Sequence, residues 1–278
     1  MSSCTTGATC SAFPATSRQP TGDDPVIWSL LKRGLLVGVT AGLLAGLFAF
    51  VFGEPGIEAA IDIEEAASAS ASVQPALAHV ADWVVSRPQQ RAGLFLATML
   101  YGACVGIIFA LAFAVVRGRG SATDDWRLSV TLAGSLFAAL VLVPFLKYPA
   151  NPPAVGSPET INERTWLYLA MLVGGLAALV AGARVRWSVP ADAAPWKRPV
   201  YGIGTFVLLA GFLGVVLPGV DEVPDGFPAS LLWEFRLSAI GTQAVLWTAL
   251  GVGFGILSLR ATAPAPGKST AGEPAVAP

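Results

Sequence analysis

The chain has 278 residues, 54% of them hydrophobic and 13% charged, and its 17 basic and 18 acidic residues give a formal net charge of −1. Soluble domains carry about a quarter charged residues. This composition therefore excludes an ordinary soluble enzyme, a disordered chain and a nucleic-acid binder.

Residues 1–26 are rich in Ser, Thr and Pro and read as a disordered tail. The Ala/Pro-rich stretch 261–278 reads the same way. Cys4 and Cys10 fall in the first tail and Cys104 in an apolar run, so no disulfide framework is expected. Between the tails, over 27–260, lie six apolar runs: 34–53, 92–116, 128–146, 165–183, 200–217 and 237–259. Each is long enough to cross a bilayer, and none contains Asp, Glu, Lys, Arg or His. Backbone in lipid must satisfy its own hydrogen bonds, so the runs are helices. The fold class is an all-α integral membrane protein with six transmembrane helices.

The first run follows Lys32 and Arg33 but is too long for a signal peptide and lacks a small-residue cleavage site before Glu54. It is read as a retained helix ending at Phe52-Gly53-Glu54-Pro55. Gly34, Gly38, Gly42 and Gly46 lie along one side of it, a small-residue face of the kind on which membrane helices pair. A glycine-lined solute path is the other reading. The segment that follows is acidic. Glu54, Glu58, Asp62 and Glu65 share one face if that segment is helical, and such a face repels itself unless a cation or a basic partner meets it. Carboxylates suit hard and borderline divalent ions, and His79 could add an imidazole. The other reading is a solvated acidic surface.

The second outer segment begins Lys147-Tyr148-Pro149-Ala150-Asn151-Pro152-Pro153, a stiff extended path with a tyrosine at the membrane edge. Glu163 and Arg164 open the fourth helix; Asp221 and Glu222 lie in the third outer segment, and Glu234 and Arg236 open the sixth helix. Ion pairing at the hairpin ends is one role for these charges. The three outer segments share a plan of helix, Pro-bearing loop, polar residue near Arg, helix. This suggests three helical hairpins in the same orientation. Gln243 is the costliest intramembrane residue to bury unpaired. The remaining intramembrane hydroxyls are expected to bond helix to helix.

With six helices, both termini and the second and fourth loops share one side. That side holds twelve basic and six acidic residues; the other holds five basic and twelve acidic. The positive-inside rule places both termini in the cytoplasm. The near-zero total thus hides a charge asymmetry across the membrane that favours a cation outside.

The run from Val143 through Lys147-Tyr148-Pro149-Ala150-Asn151-Pro152-Pro153 to Gly156 resembles the CbtA family, the predicted cobalt transporter subunits of bacteria. So do Glu159-Thr160-Ile161 with Arg164-Thr165, and the stretch from Val220-Asp221-Glu222 through Trp233-Glu234-Phe235-Arg236 to Gly241-Thr242-Gln243. The resemblance covers roughly residues 30–260 and implies a multi-pass inner-membrane protein working with a small single-span, His-bearing partner, CbtB. It implies cobalt, or a similar divalent cation, as substrate, with no bound cofactor. Many relatives carry several histidines in the first outer segment where this chain has His79 alone, which fits a partner supplying imidazoles or a different substrate. The pathway residues to test are then Lys147, Tyr148, Asn151, Glu163, Arg164, Asp221, Glu222, Glu234, Arg236 and Gln243. Enzyme motifs and nucleophile–base pairs are not visible in the sequence, so the chain is read as a non-enzyme. A non-transporting scaffold or regulatory subunit is the alternative. The partners expected are the lipid bilayer, CbtB and further copies of the chain, with no nucleic acid.

Overall fold

A computed structural model describes residues 24–70, 87–118, 124–153 and 155–262. The expected tails and His79 lie outside these residues. Helix α1 (Asp24–Phe48) runs through a π turn (Ala49–Gly53) into α2 (Glu54–Ser70). Helix α3 (Arg87–Val116) follows, then α4 (Asp125–Phe137), a second π turn (Ala138–Leu142) and the short α5 (Val143–Lys147). A 3₁₀ turn (Pro158–Thr160) leads into α6 (Ile161–Ser188), followed by α7 (Lys197–Val216) and α8 (Ala229–Thr262). No strand occurs among the described residues.

Six helical stretches are long and apolar enough to cross a membrane: Val26–Ala66, Pro88–Val116, Asp125–Lys147, Ile161–Ser188, Lys197–Val216 and Ala229–Ala261. Each turns large apolar side chains outward, such as Leu36, Leu100, Leu146, Val173, Leu208 and Leu237. In water such faces would drive aggregation; they are the surface that lipid covers. The chain is a multi-pass membrane protein.

The first helix does not end at Gly53-Glu54-Pro55. It widens into the π turn and continues as α2, so Glu54, Glu58, Asp62 and Glu65 do lie on a helix. The cause is Pro55. A proline inside a helix lacks the N–H that would bond four residues back, and its ring crowds that carbonyl. A π turn immediately before it opens the ladder and relieves both problems. The same device recurs at Pro144, two residues after the second π turn ends, as Pro55 is after the first.

The core is built by α1, α3, α4 and α8. Leu30, Val37, Ala41 and Ala45 meet Phe109, Ala110, Phe113, Ala133, Leu246, Trp247, Leu250 and Phe254. Phe254 sits edge-on to Phe109 at 5.3 Å and tilted against Phe113 at 4.9 Å between ring centres. Helices α6 and α7 form a second packed pair, joined to the core through the second π turn and α5. Only 11% of the α7 span is buried, so α7 borders lipid on most of its circumference. The sequence suggests three hairpins of consecutive spans, and only the first of them is a closely packed pair. In space α1 packs along α3, whereas α4 packs along α8 and α6 along α7.

The glycines of α1 face those of α3. A Cβ on Gly38 would strike the carbonyl of Gly102, and one on Gly102 would strike the carbonyl of Gly38 and the backbone of Gly42. Gly34 stands in the same relation to Gly106, and Gly42 and Gly46 to Thr98. The expected helix-to-helix bonding of the hydroxyls is largely replaced by bonding within each helix. Thr40 donates to the Leu36 and Val37 carbonyls, Thr98 to Phe95, Thr131 to Arg127, Ser135 to Thr131, Thr205 to Tyr201 and Thr242 to Ser238. A hydroxyl one turn along can always reach its own helix carbonyl, which satisfies it without a neighbour. Ser129 is different: its Oγ donates across to the Gly251 carbonyl at 2.7 Å.

Candidate functional site

At the end of the bundle carrying α2 and the 148–160 and 217–228 connections (the predicted outer end), local chemistry ties three segments together. Ser157 caps the 3₁₀ turn, its hydroxyl accepting from Glu159 N, with Pro158 at the first position. This turns the chain so that Ser157 N and Thr160 Oγ1 both point at one carboxylate. Glu222 accepts from Ser157 N at 3.2 Å and from Thr160 Oγ1, and its Oε2 lies 3.1 Å from Arg164 Nη1. Arg164 Nη2 in turn donates to the Ser157 carbonyl at 3.1 Å. Gly156 has φ +114°, and a Cβ there would run into the Arg164 guanidinium and the Glu222 carboxylate. Glycine is needed at this position for both its backbone conformation and its bareness.

Hydrogen bonding from Thr160, backed by the Ser157 amide and the Arg164 charge, holds the Glu222 carboxyl below its ordinary value against the opposing effect of desolvation. Tyr148 donates to the Pro218 carbonyl at 2.8 Å, and desolvation raises its phenol. Arg236, at the start of the α8 span, donates from Nη2 to Asn151 Oδ1 at 2.9 Å and from Nε to the Ala150 carbonyl at 3.4 Å. The stiff Pro-rich segment is thus pinned at one point to α8, at another to the 217–228 connection, and at its end to α6.

Beneath this clasp lies a cavity of about 1070 Å³. Tyr148, Pro149, Ala150, Asn151 and Val220–Val223 roof it. Apolar residues of α3, α4, the second π turn and α6 wall it, and Arg236, Gln243 and Trp247 of α8 line its far side. Three of the residues that line it each carry a buried polar atom without a hydrogen-bond partner: Arg164 Nε, Gln243 Oε1 and Trp247 Nε1. An unsatisfied buried polar group costs roughly 1–3 kcal/mol, so three in the walls of one cavity set this region apart from the rest of the bundle.

Of the residues singled out in the sequence, Tyr148, Asn151, Arg164, Asp221, Glu222, Arg236 and Gln243 line this one cavity. Lys147 stands beside the Tyr148 ring rather than on the cavity, and Glu163 and Glu234 point to the surface. The neighbours in sequence are not the partners in space: Arg164 pairs with Glu222 rather than Glu163, and Arg236 with Asn151 rather than Glu234. The acidic helix α2 sits apart from the cavity. There Arg91 Nε meets Glu54 at 3.0 Å and its Nη2 meets Glu58, while Asp62 and Glu65 are exposed. A basic residue of α3 thus answers the self-repulsion of that face. Among the described residues no three His, Cys, Asp or Glu side chains gather as a metal site.

Sequence reasoning missed Ser157, Thr160, Gly156 and Trp247. The Ser157-Pro158-Glu159-Thr160 run carries a visible turn-and-cap signature, and Trp247 follows Gln243 by one helical turn.

The chain matches the family model described as "Probable cobalt transporter subunit (CbtA)" over residues 27–258. No curated protein and no solved structure matches it. The chain belongs to the CbtA family, a family of transporter subunits, and a subunit works with a partner protein.

Proposed function

We propose that this chain is the membrane-embedded subunit of a cobalt uptake transporter in the bacterial inner membrane, with both termini cytoplasmic. It works there with a small His-bearing membrane subunit, CbtB. The observation that carries the reading is the family match across all six spans, joined to the convergence of six hairpin-end residues and the intramembrane Gln243 on one cavity. The ion is cargo and not a resident cofactor. Exposed carboxylates of α2, with those of the 217–228 connection, raise the local concentration of cations at the outer surface. The partner's imidazoles supply the nitrogen ligands that the described residues do not gather. No step of the reading requires bond chemistry by the protein, so it is not an enzyme.

Cellular cobalt accumulation under cobalt limitation, with and without this chain and with and without the partner, tests the proposal. A several-fold drop on deleting either one is expected; unchanged accumulation rejects the transport role. Replacing Glu58, Asp62 and Glu65 together by their amides is expected to reduce uptake at low cobalt, and unchanged uptake makes α2 a solvated face. Reporter fusions at residues 65, 120 and 190 test the orientation: 65 outside, 120 and 190 inside.

A scaffold or regulatory role is the second reading. It is favoured by the absence of a His, Cys, Asp and Glu cluster among the described residues. Purified protein in liposomes separates the two, since partner binding without cobalt flux in the presence of the partner supports the scaffold.

A further inference from the structure

The cavity has features that passage of a bare cation does not explain. Among the described residues Arg236 reaches only neutral acceptors, Asn151 Oδ1 and the Ala150 carbonyl, and no carboxylate in hydrogen-bond range. Arg164 has given its Nη atoms to Glu222 and Ser157, and its Nε is buried without a hydrogen-bond partner. Asp221 and Glu222 line this end of the cavity too, but Glu222 is paired with Arg164 and Asp221 is exposed, so Arg236 is the charge left to meet an anion, and guanidinium is the group best matched to carboxylate and phosphate. Below it, Gln243 lies seven residues along α8 from Arg236 and Trp247 four further, about 10 and 16 Å deeper at 1.5 Å per residue. Below the roof the walls are mostly apolar: Ile108, Leu140, Val173 and Leu176 face the same space.

The cavity is also open sideways. Ile108 of α3 and Val173 of α6 line it and are nevertheless 64% and 69% exposed. Tyr101 stands beside them at 49%. These residues sit within the spans, so the opening between α3 and α6 faces the hydrocarbon of the bilayer.

We propose that this cavity binds an amphipathic anion. Its acidic group sits at Arg236, beside Arg164, and its apolar body lies along the α3–α6 walls past Gln243 and Trp247. Two sources share this chemistry: an anionic lipid of the adjacent leaflet entering between α3 and α6, and an anionic organic complex of a metal entering from the roof. The inference stands whether or not cobalt is the cargo.

The test uses the full purified chain in zwitterionic nanodiscs and the fluorescent probe 11-(dansylamino)undecanoic acid, with its methyl ester as the uncharged control. The acid is expected to bind at least about tenfold more tightly than the ester, since a desolvated charge-assisted contact is worth that much. Arg236→Gln is expected to remove most of that preference and Arg236→Lys to restore part of it, which separates charge from the pinning of Asn151. Ile108→Trp, which fills the cavity from α3 without touching either arginine, is expected to block both probes. Displacement by lysophosphatidylglycerol, and not by cobalt nitrilotriacetate, assigns the lipid source; the reverse assigns the soluble complex. Equal binding of acid and ester, displacement by cobalt chloride alone, no binding of the acid, or indifference to both Ile108→Trp and Arg236→Gln overturns the proposal. Because binding is read on isolated protein, a negative result here leaves the cobalt accumulation experiment to be judged on its own.

Discussion

Helix α3 has two unlike faces. On one, Thr98, Gly102 and Gly106 close on α1 so tightly that their backbones are the contact surface. On the other, Tyr101, Ile108 and Ala112 look into the cavity across from α6. Both faces are apolar, so hydrophobicity does not decide which one pairs. In lipid there is little hydrophobic force between helices, and close approach depends on small residues and on what the backbone can touch. Glycine at four-residue spacing seals one side of α3, and bulkier side chains leave the other side open.

This comparison breaks most sharply at the sealed face. In Gly102→Leu the new carbons would meet Gly38 and Gly42 backbone, which cannot yield as a flexible side chain would. Overpacking of that kind costs about 3 kcal/mol. Little monodisperse protein and a lowered unfolding temperature in detergent are expected. Gly211→Leu on α7, where a Cβ meets nothing within 4 Å, is the control and should leave both unchanged. Equal damage from the two substitutions would mean that helix propensity or insertion, and not the seam, sets the cost.

The open face is held from above by the clasp, and Gly156 is its most sensitive point. Gly156→Ala places a Cβ at φ +114° against Arg164 and Glu222. Backbone strain of this class costs roughly 1–3 kcal/mol. The expected reading is faster proteolysis within 148–160 with the seam intact, so the unfolding temperature of the core moves less than in Gly102→Leu.

A gentler way to loosen the same clasp is acid. The Glu222 carboxyl is held below the ordinary value of 4.5. A group whose folded value is depressed contributes stability above its unfolded value, and that stability is lost as pH falls through the folded value. Proteolysis of the 148–160 segment is therefore expected to be independent of pH above about 5 and to rise as pH falls below 4.5. In Glu222→Gln the rate should be raised at neutral pH and lose most of its acid dependence. A pH response unchanged in the variant would place the sensitive group elsewhere.

Much of this was legible in the amino-acid sequence, for reasons that differ by region. The six spans follow from run length because lipid allows no other backbone. The α1 face at Gly34, Gly38, Gly42 and Gly46 follows from helical period alone. The charged residues of the clasp were visible at hairpin ends, yet their pairing was not. Arg164 and Glu222 are 58 residues apart, and only the path of the Pro-rich segment brings them together. The π turns were invisible because hydropathy reports where a span leaves lipid, whereas the helix ends where its hydrogen-bond ladder ends. Pro55 looked like a terminator, and the ladder widens ahead of it instead. The cavity itself was hidden, since it is a gap between α3 and α6, and sequence marks what packs more clearly than what stays apart.

The smallest expected effect separates hydroxyls that join helices from those that serve their own. Ser129 Oγ donates to the Gly251 carbonyl across the α4–α8 contact, fully buried, while Thr131, two residues on, donates to Arg127 and Leu128 carbonyls within α4 and is exposed. Interhelical hydrogen bonds in membranes average about 0.6 kcal/mol, because the hydroxyl also finds partners in the unfolded state within the membrane. Ser129→Ala should lower stability by about that amount, and Thr131→Ala should change it by no more than about 0.2 kcal/mol, since the threonine surrenders a bond within one helix and gains helix propensity. Equilibrium unfolding in mixed micelles resolves the difference. Equal effects would mean that the α4–α8 contact is held by shape alone, with Gly251 against Ala133 setting the approach. The core half would then resemble the α1–α3 seam throughout, with no polar bond needed to fix its register.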